Sequence, residues 1–167
     1  MITDFIATVA QRGFNPGNRY SINVARQLSG GVPANVLSQY CENVSLPGRS
    51  FATSDVKFGT GFTQKMPYNT IYDDVSMTFR IDEAMGIKSY FDAWQNIIHN
   101  KNTGYMSYYD SYKSDIDIVV YNRQDAEVHR CKLMDAYPIS VASTDLSHAT
   151  QNEILKLTVT FAYKLWR

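Results

Sequence analysis

The strongest constraint on this fold is a change of hydrophobic period inside one continuous segment, residues 73–100. Val75, Met77, Phe79 and Ile81 alternate with Ser76, Thr78 and Arg80, the period of two that marks a strand with one buried face. After Asp82-Glu83 the spacing becomes helical. Tyr90, Phe91, Trp94, Ile97 and Ile98 fall with Ile87 on one face, while Lys88, Asp92, Gln95, Asn96 and His99 occupy the other. The pattern predicts a helix over 83–100, with Asp82 as N-cap and Glu83 complementing the positive helix end. Gly86 costs about 1 kcal/mol against Ala. The apolar stripe outweighs it, since each large side chain gains about 1.5–3 kcal/mol on full burial. A strand running into such a helix requires a sheet on which the helix can lie.

The remaining segments read mostly as strands. Residues 1–18 form an N-terminal arm, beginning with a short amphipathic turn or two that brings Phe5, Ile6 and Val9 together and ending in the turn Asn15-Pro16-Gly17-Asn18. Residues 19–26 alternate through Tyr20, Ile22 and Val24. A turn at Ser29-Gly30-Gly31 with Pro33 leads to an expected partner strand at 36–43, stopped by Pro47-Gly48. Residues 52–58 make a weaker strand, and 59–70, with Gly59, Gly61 and Pro67, reads as an exposed loop. No period is visible over 101–112. Strands at 114–121 and 126–137 bracket the hairpin turn Asn122-Arg123-Gln124-Asp125, and Pro138 is expected to end the second. Ile116, Ile118 and Val120 share one face of their strand; Asp115, Asp117 and Tyr121 share the other. After a polar loop at 143–151, residues 155–165 alternate as a final strand. About seven strands around one helix predict a mainly β, antiparallel sandwich or barrel with the helix outside, one domain over 1–167.

Composition narrows function by exclusion. Sixteen basic and sixteen acidic residues cancel, against the clustered cations of a surface that grips nucleic acid. No apolar run reaches the length of a membrane span and no signal peptide opens the chain, so no membrane anchor is expected. Cys41 and Cys131 are far apart and suggest no disulfide framework, although one bridge stays open. His129 and Cys131 share a strand face, but no second ligand pair accompanies them, and His99 and His148 stand alone. The carboxylate pairs Asp73-Asp74 and Asp82-Glu83 read as strand and capping residues. Phosphate-loop, nucleophile-elbow and dinucleotide fingerprints are missing. The expectation is therefore no catalytic residue, no metal and no cofactor.

One likeness goes beyond fold class. The run CENVSLPG, a loop leading to a proline, then DDVSMTFRIDEAMGIKSYFDAWQNII, resembles the tail tube protein of contractile-tailed bacteriophages. The hairpin, Ala136-Tyr137-Pro138 with Val141 soon after, and the terminal ILKLTVTFAYKLW agree with it, so that the resemblance covers about residues 20–166. It implies a β-sandwich or barrel flanked by a helix, without catalysis, six copies of which join in a ring. Stacked rings make a tube within a sheath, begun on a baseplate initiator and holding a tape measure protein. Phage DNA then passes through without sequence-specific binding. The implied location is the virion tail, assembled in the host bacterial cytoplasm. Residues 50–71 correspond to the extended segment that reaches the next ring. Phe62, Met66 and Tyr68 are its expected apolar anchors and Lys65 a rim charge, while Asp115 and Asp117 are candidates for the channel wall.

Other readings share much of this pattern. A tube initiator, or the tube of a related contractile injection or secretion machine, would have the same fold. A monomeric β-sandwich binding module would gather exposed aromatics in one loop cluster, for which Tyr105, Tyr108, Tyr109 and Tyr112 are the candidates. Packing at an edge or between subunits accounts for the same tyrosines.

Overall fold

A computed structural model describes residues 2–28, 32–144, 146–147 and 153–167. The expected turn at Ser29-Gly30-Gly31, His148 with much of the 143–151 loop, and the side chain of Phe5 lie outside the description. In chain order come helix α1 (Ile2–Arg12), strand β1 (Tyr20–Val24), helix α2 (Ala34–Tyr40) and strand β2 (Cys41–Val44). Strands β3 (Arg49–Phe58), β4 (Phe62–Tyr72) and β5 (Val75–Arg80) precede helix α3 (Gly86–Ile98) and the single turn α4 (Tyr109–Tyr112). Strands β6 (Ser114–Tyr121), β7 (Glu127–Val141), β8 (Lys156–Ala162) and β9 (Leu165–Trp166) complete the chain.

Seven strands form one antiparallel sheet in the order β1-β6-β7-β8-β5-β2, with β9 also on β7. β7 is the hinge of this sheet. Its first part pairs with β6, with Ile116 opposite Leu133, and its last part pairs with β8, with Val141 opposite Val159. Between them Asp135 takes a positive φ of 54°. Pro138, expected to end the strand, instead sits beside a register shift and pairs with Phe161. A bulge tolerates the missing N–H. The two half-sheets thus fold toward one another around a common core of Ile22, Ile118 and Leu133 on one side and Met77, Phe79 and Val159 on the other. At the open end α2 bridges the outer strands. Ser38 Oγ accepts the Ile22 N–H at 3.1 Å, and the Tyr20 hydroxyl donates to the Cys41 carbonyl at 3.1 Å.

α3 flanks the sheet and turns its apolar face into the core. Ile87, Tyr90, Phe91 and Trp94 are buried, as the stripe predicts; Ile97 and Ile98 are half-buried and His99 is exposed. Phe91 contacts both Phe79 of β5 and Phe161 of β8, with ring centroids 5.1 and 6.0 Å away. The Tyr90 hydroxyl donates to the Arg26 carbonyl at 2.7 Å, and Trp94 Nε1 donates to the Tyr112 carbonyl at 2.8 Å. The helix begins later than expected. Met85, at φ 55°, occupies the cap position, while Asp82 accepts the Ile87 N–H at 3.1 Å from outside the helix. Glu83 is therefore not in the first turn. Gly86 has a steric reason, because a Cβ there would lie 3.0 Å from the Asp82 carboxylate and 3.1 Å from Val32.

Three further expectations are corrected. Residues 36–43 are not one strand: Ala34–Tyr40 is helical behind Pro33, with Leu37 turned into the core, and only Cys41–Val44 pairs with β5. Residues 59–70 are not a loop. Phe62–Tyr72 is a strand paired along its length with β3, forming a separate two-stranded sheet. The final strand is not continuous, since it breaks after Ala162 and resumes as β9 against Leu133 and Met134.

Trp94 is wholly buried, so Trp94→Ala should cost about 3–5 kcal/mol of a total that is typically about 5–15 kcal/mol. His99→Ala, on the exposed side of the same helix, should stay within about 0.5 kcal/mol. Denaturant titration of both variants measures the contrast; equal losses would contradict this orientation of α3.

Candidate assembly surfaces

β3 and β4 build an arm whose substantial contacts, among the described residues, are with each other. Its base is held where Asp73 N donates to the Gly48 carbonyl at 3.3 Å and the Tyr163 hydroxyl donates to the Asp73 carbonyl at 2.7 Å. Gly48 is fixed by this closeness, because a Cβ there would meet the Asp73 carboxylate at 2.6 Å. The tip turns through Gly59, at φ 66°. The register sets Ser54 opposite Met66 and Val56 opposite Gln64, so these share one face with Phe62. Asp55 opposite Lys65, and Lys57 opposite Thr63, fall on the other. Near Pro67 the register shifts, with Thr53 opposite Pro67 and Ala52 opposite Asn69, which leaves Tyr68 as the extra residue of a bulge. Phe62 is 85% exposed and Tyr68 72%. Lys65 and Met66 are exposed as well. The four residues singled out in the sequence therefore lie on one strand, but Lys65 points away from the face of Phe62 and Met66.

The second surface is the polar face of the large sheet. Ser76, Thr78 and Arg80 of β5 stand beside Thr160, Thr158 and Lys156 of β8, and the Thr78 and Thr158 hydroxyls are 3.2 Å apart. Three acids of the sheet, Glu42, Asp115 and Glu127, are each paired with a cation. Glu42 accepts from Lys156 at 2.7 Å and from Arg80 at 3.4 Å. The Lys156 hydrogen bond, with Arg80 adding, holds its carboxyl below the usual carboxylate range. Asp115 pairs with Lys132 at 2.9 Å and also accepts the Asp135 N–H at 3.2 Å. Lys132 is the main cause of its lowered pKa, and the Lys132 ammonium is raised in turn. Asp117 is half-buried, with one carboxylate oxygen lacking a hydrogen-bond partner among the described residues. Arg130 grips Glu127 through two bonds of 2.9 Å. None of these pairs was visible in the sequence, because each joins different strands or flanks a register shift.

The four tyrosines of 105–112 do not form one platform. Tyr109, Tyr112 and Tyr137 pack edge to face, at centroid distances of 5.5, 6.1 and 5.3 Å within the trio. The Tyr109 hydroxyl donates to the Asp135 carbonyl at 2.9 Å. Tyr105 and Tyr108 stay exposed and outside that cluster. Between β1 and β2 lies a cleft of about 630 Å³, lined by Tyr20, Ser38, Cys41, Glu42, Arg80 and Ile118 among others. It is ill suited to nucleophilic chemistry, since burial pushes the Cys41 thiol up to about 11 and the Tyr20 hydroxyl up to about 12. Cys131 is buried in the core while His129 is exposed. Among the described residues no three His, Cys, Asp or Glu side chains gather as a metal site.

The family described as phage tail tube protein matches residues 13–167. Curated protein sequences gave no match. Among solved structures, the fold is similar to a chain in the cryo-EM structure of the extracellular contractile injection system PVC sheath–tube complex in its extended state. Identity there is 21%, covering 96% of this chain and 95% of that one, with a TM-score of 0.67. It is also similar to a chain of the anti-feeding prophage tube-terminating cap, at 21% identity over 92% and 89% of the two chains and a TM-score of 0.68. A chain of the anti-feeding prophage baseplate matches at 15% identity over 91% and 93%, with a TM-score of 0.65.

The Asp115–Lys132 pair gives a pH prediction. Because the carboxyl is lowered in the folded chain, its contribution is complete above the ordinary carboxylate range and is lost as pH falls through the lowered value. Asp115→Asn should therefore lower Tm at pH 7 and converge with the unaltered protein in acid. Tm measured from pH 7 down to 3 checks this, and a gap that persists in acid would contradict it.

Proposed function

The chain belongs to the phage tail tube protein family, and from that premise we propose that it is the ring subunit of a contractile bacteriophage tail. Six copies close into a ring through the edges of the seven-stranded sheet, and rings stack into a hollow tube. The sheath surrounds the tube, a tape measure protein occupies the lumen, and a baseplate initiator starts growth. Assembly takes place in the host bacterial cytoplasm and ends in the virion tail. At ejection DNA passes down the channel without sequence-specific contact.

The observation that carries this reading is the β3–β4 arm. An isolated two-stranded hairpin is marginal in water, yet this one extends beyond the subunit with Phe62, Met66 and Tyr68 exposed. A partner from the next ring would cover them, a head-to-tail contact that propagates without closing. Joining sheet edges between subunits also removes a hazard, because an unpaired edge is a template for uncontrolled pairing. The polar sheet face, with Asp115 and Asp117, suits the channel wall. Its Arg80, Lys132 and Lys156 are each held by Glu42 or Asp115, so these cations are not free to hold the phosphate backbone. The role is structural and needs no catalytic group.

Phe62→Ser with Tyr68→Ser should abolish long tubes in electron micrographs while leaving the circular dichroism spectrum unchanged, since neither side chain is in the core. Long tubes from the double variant would remove the arm from the axial contact.

A further inference from the structure

The outer strands of the seven-stranded sheet are β1 and β2, and neither edge is bare. Backbone groups along β1 alternate in direction, as in any antiparallel pair. The Tyr121 N–H donates to the Arg19 carbonyl at 2.9 Å, and the Ala25 N–H donates to the Asp115 carbonyl at 3.0 Å. The odd-numbered residues of this stretch therefore bond to β6, while Tyr20, Ile22 and Val24 turn their backbone groups to the free edge. The middle N–H of these three, that of Ile22, is held by Ser38 Oγ of α2 at 3.1 Å. At the other edge the Cys41 carbonyl, the first of β2, accepts from the Tyr20 hydroxyl at 3.1 Å.

We propose that α2 is a removable guard on the β1 edge. It shields the free subunit from uncontrolled strand pairing, and it yields the Ile22 N–H to a strand of the next copy when a ring closes. This inference rests on the ring assembly above. A backbone N–H is a single donor, so Ser38 and an incoming strand compete for it directly. Covering an edge with a helix is one of the ways in which proteins prevent edge-to-edge association. The construction of α2 suits release. It has seven residues and starts behind Pro33 with no side-chain cap bond, and a helix so short is marginal by itself. Its one fully buried side chain is Leu37, the neighbour of Ser38, which stays seated in the core as a pivot while the helix turns. The cleft of about 630 Å³ lined by Ser38, Gln39 and Tyr40 gives it space to turn into. Unguarding the edge thus disturbs two hydrogen bonds and leaves the core closed.

The test is hydrogen exchange at the Ile22 amide, quenched and read by mass spectrometry in free subunits and in assembled tubes. In free subunits Ser38→Ala should speed this exchange roughly tenfold, and Ser38→Thr, which keeps the hydroxyl, should restore the slow rate. In tubes Ser38→Ala and the unaltered protein should exchange equally slowly, because the next copy's strand now holds the N–H. Light scattering and electron microscopy give a second readout. Ser38→Ala, and separately Tyr20→Phe, should each lower the concentration at which tubes first appear by roughly tenfold. Tyr20→Phe leaves α2 itself unaltered, so it carries this readout even if Ser38→Ala fails to fold. Faster Ile22 exchange in Ser38→Ala tubes than in unaltered tubes, or an unchanged threshold in the variants, would overturn the guard and spare the tube reading. Failure of the unaltered protein and of every variant to form tubes would overturn the tube reading, and this inference with it.

Discussion

The aromatic face of α3 can leave water only because its polar tips find acceptors. Tyr90 reaches the Arg26 carbonyl and Trp94 the Tyr112 carbonyl. A buried donor left without a partner would cost about 1–3 kcal/mol, enough to spoil much of the gain from each ring. Those acceptors belong to the segments that leave β1 and enter β6. Seating α3 therefore fixes where these strands emerge, and the Ala25 N–H then donates to the Asp115 carbonyl at 3.0 Å as their pairing begins. The same helix ties β5 to β8 through Phe79, Phe91 and Phe161. Both half-sheets thus take their positions from one set of rings.

Much of this was legible because the decisive segments are strongly periodic. The alternation of Val75, Met77 and Phe79, and the helical stripe through Trp94, each repeat a single burial rule, and the structure follows both. The failures have physical causes. At 34–40 the apolar residues are too few to separate a short helix from a strand, and only Leu37 is fully buried. Pro67 and Pro138 were read as breakers, yet each sits at a register shift where its missing N–H does no harm. The arm buries almost nothing within the subunit, so its alternation has no polar–apolar contrast between core and solvent to display.

The candidate assembly surfaces were legible in a narrower sense. Exposed Phe62, Met66 and Tyr68 could be singled out as apolar groups with no place in a core. Which face each occupies could not, because the bulge at Tyr68 changes the alternation. The ion pairs of the sheet face were hidden for another reason. Glu42 meets Lys156 across β5, a strand that neither residue belongs to, and only the strand order brings such residues together.

That strand order also governs synthesis. β8 lies between β7 and β5 in the sheet, so Val75 has its partner only when Phe161 exists, and Arg80 only when Lys156 does. On a ribosome the first half of the chain emerges with β5 and α3 but without the strand that closes over them. Pairing that depends on such distant residues is slow and comes late. An incomplete chain holds an open apolar surface, whereas the subunit becomes a finished building block only after its last strands have emerged. The sheet thus withholds assembly-competent shape from every partial product.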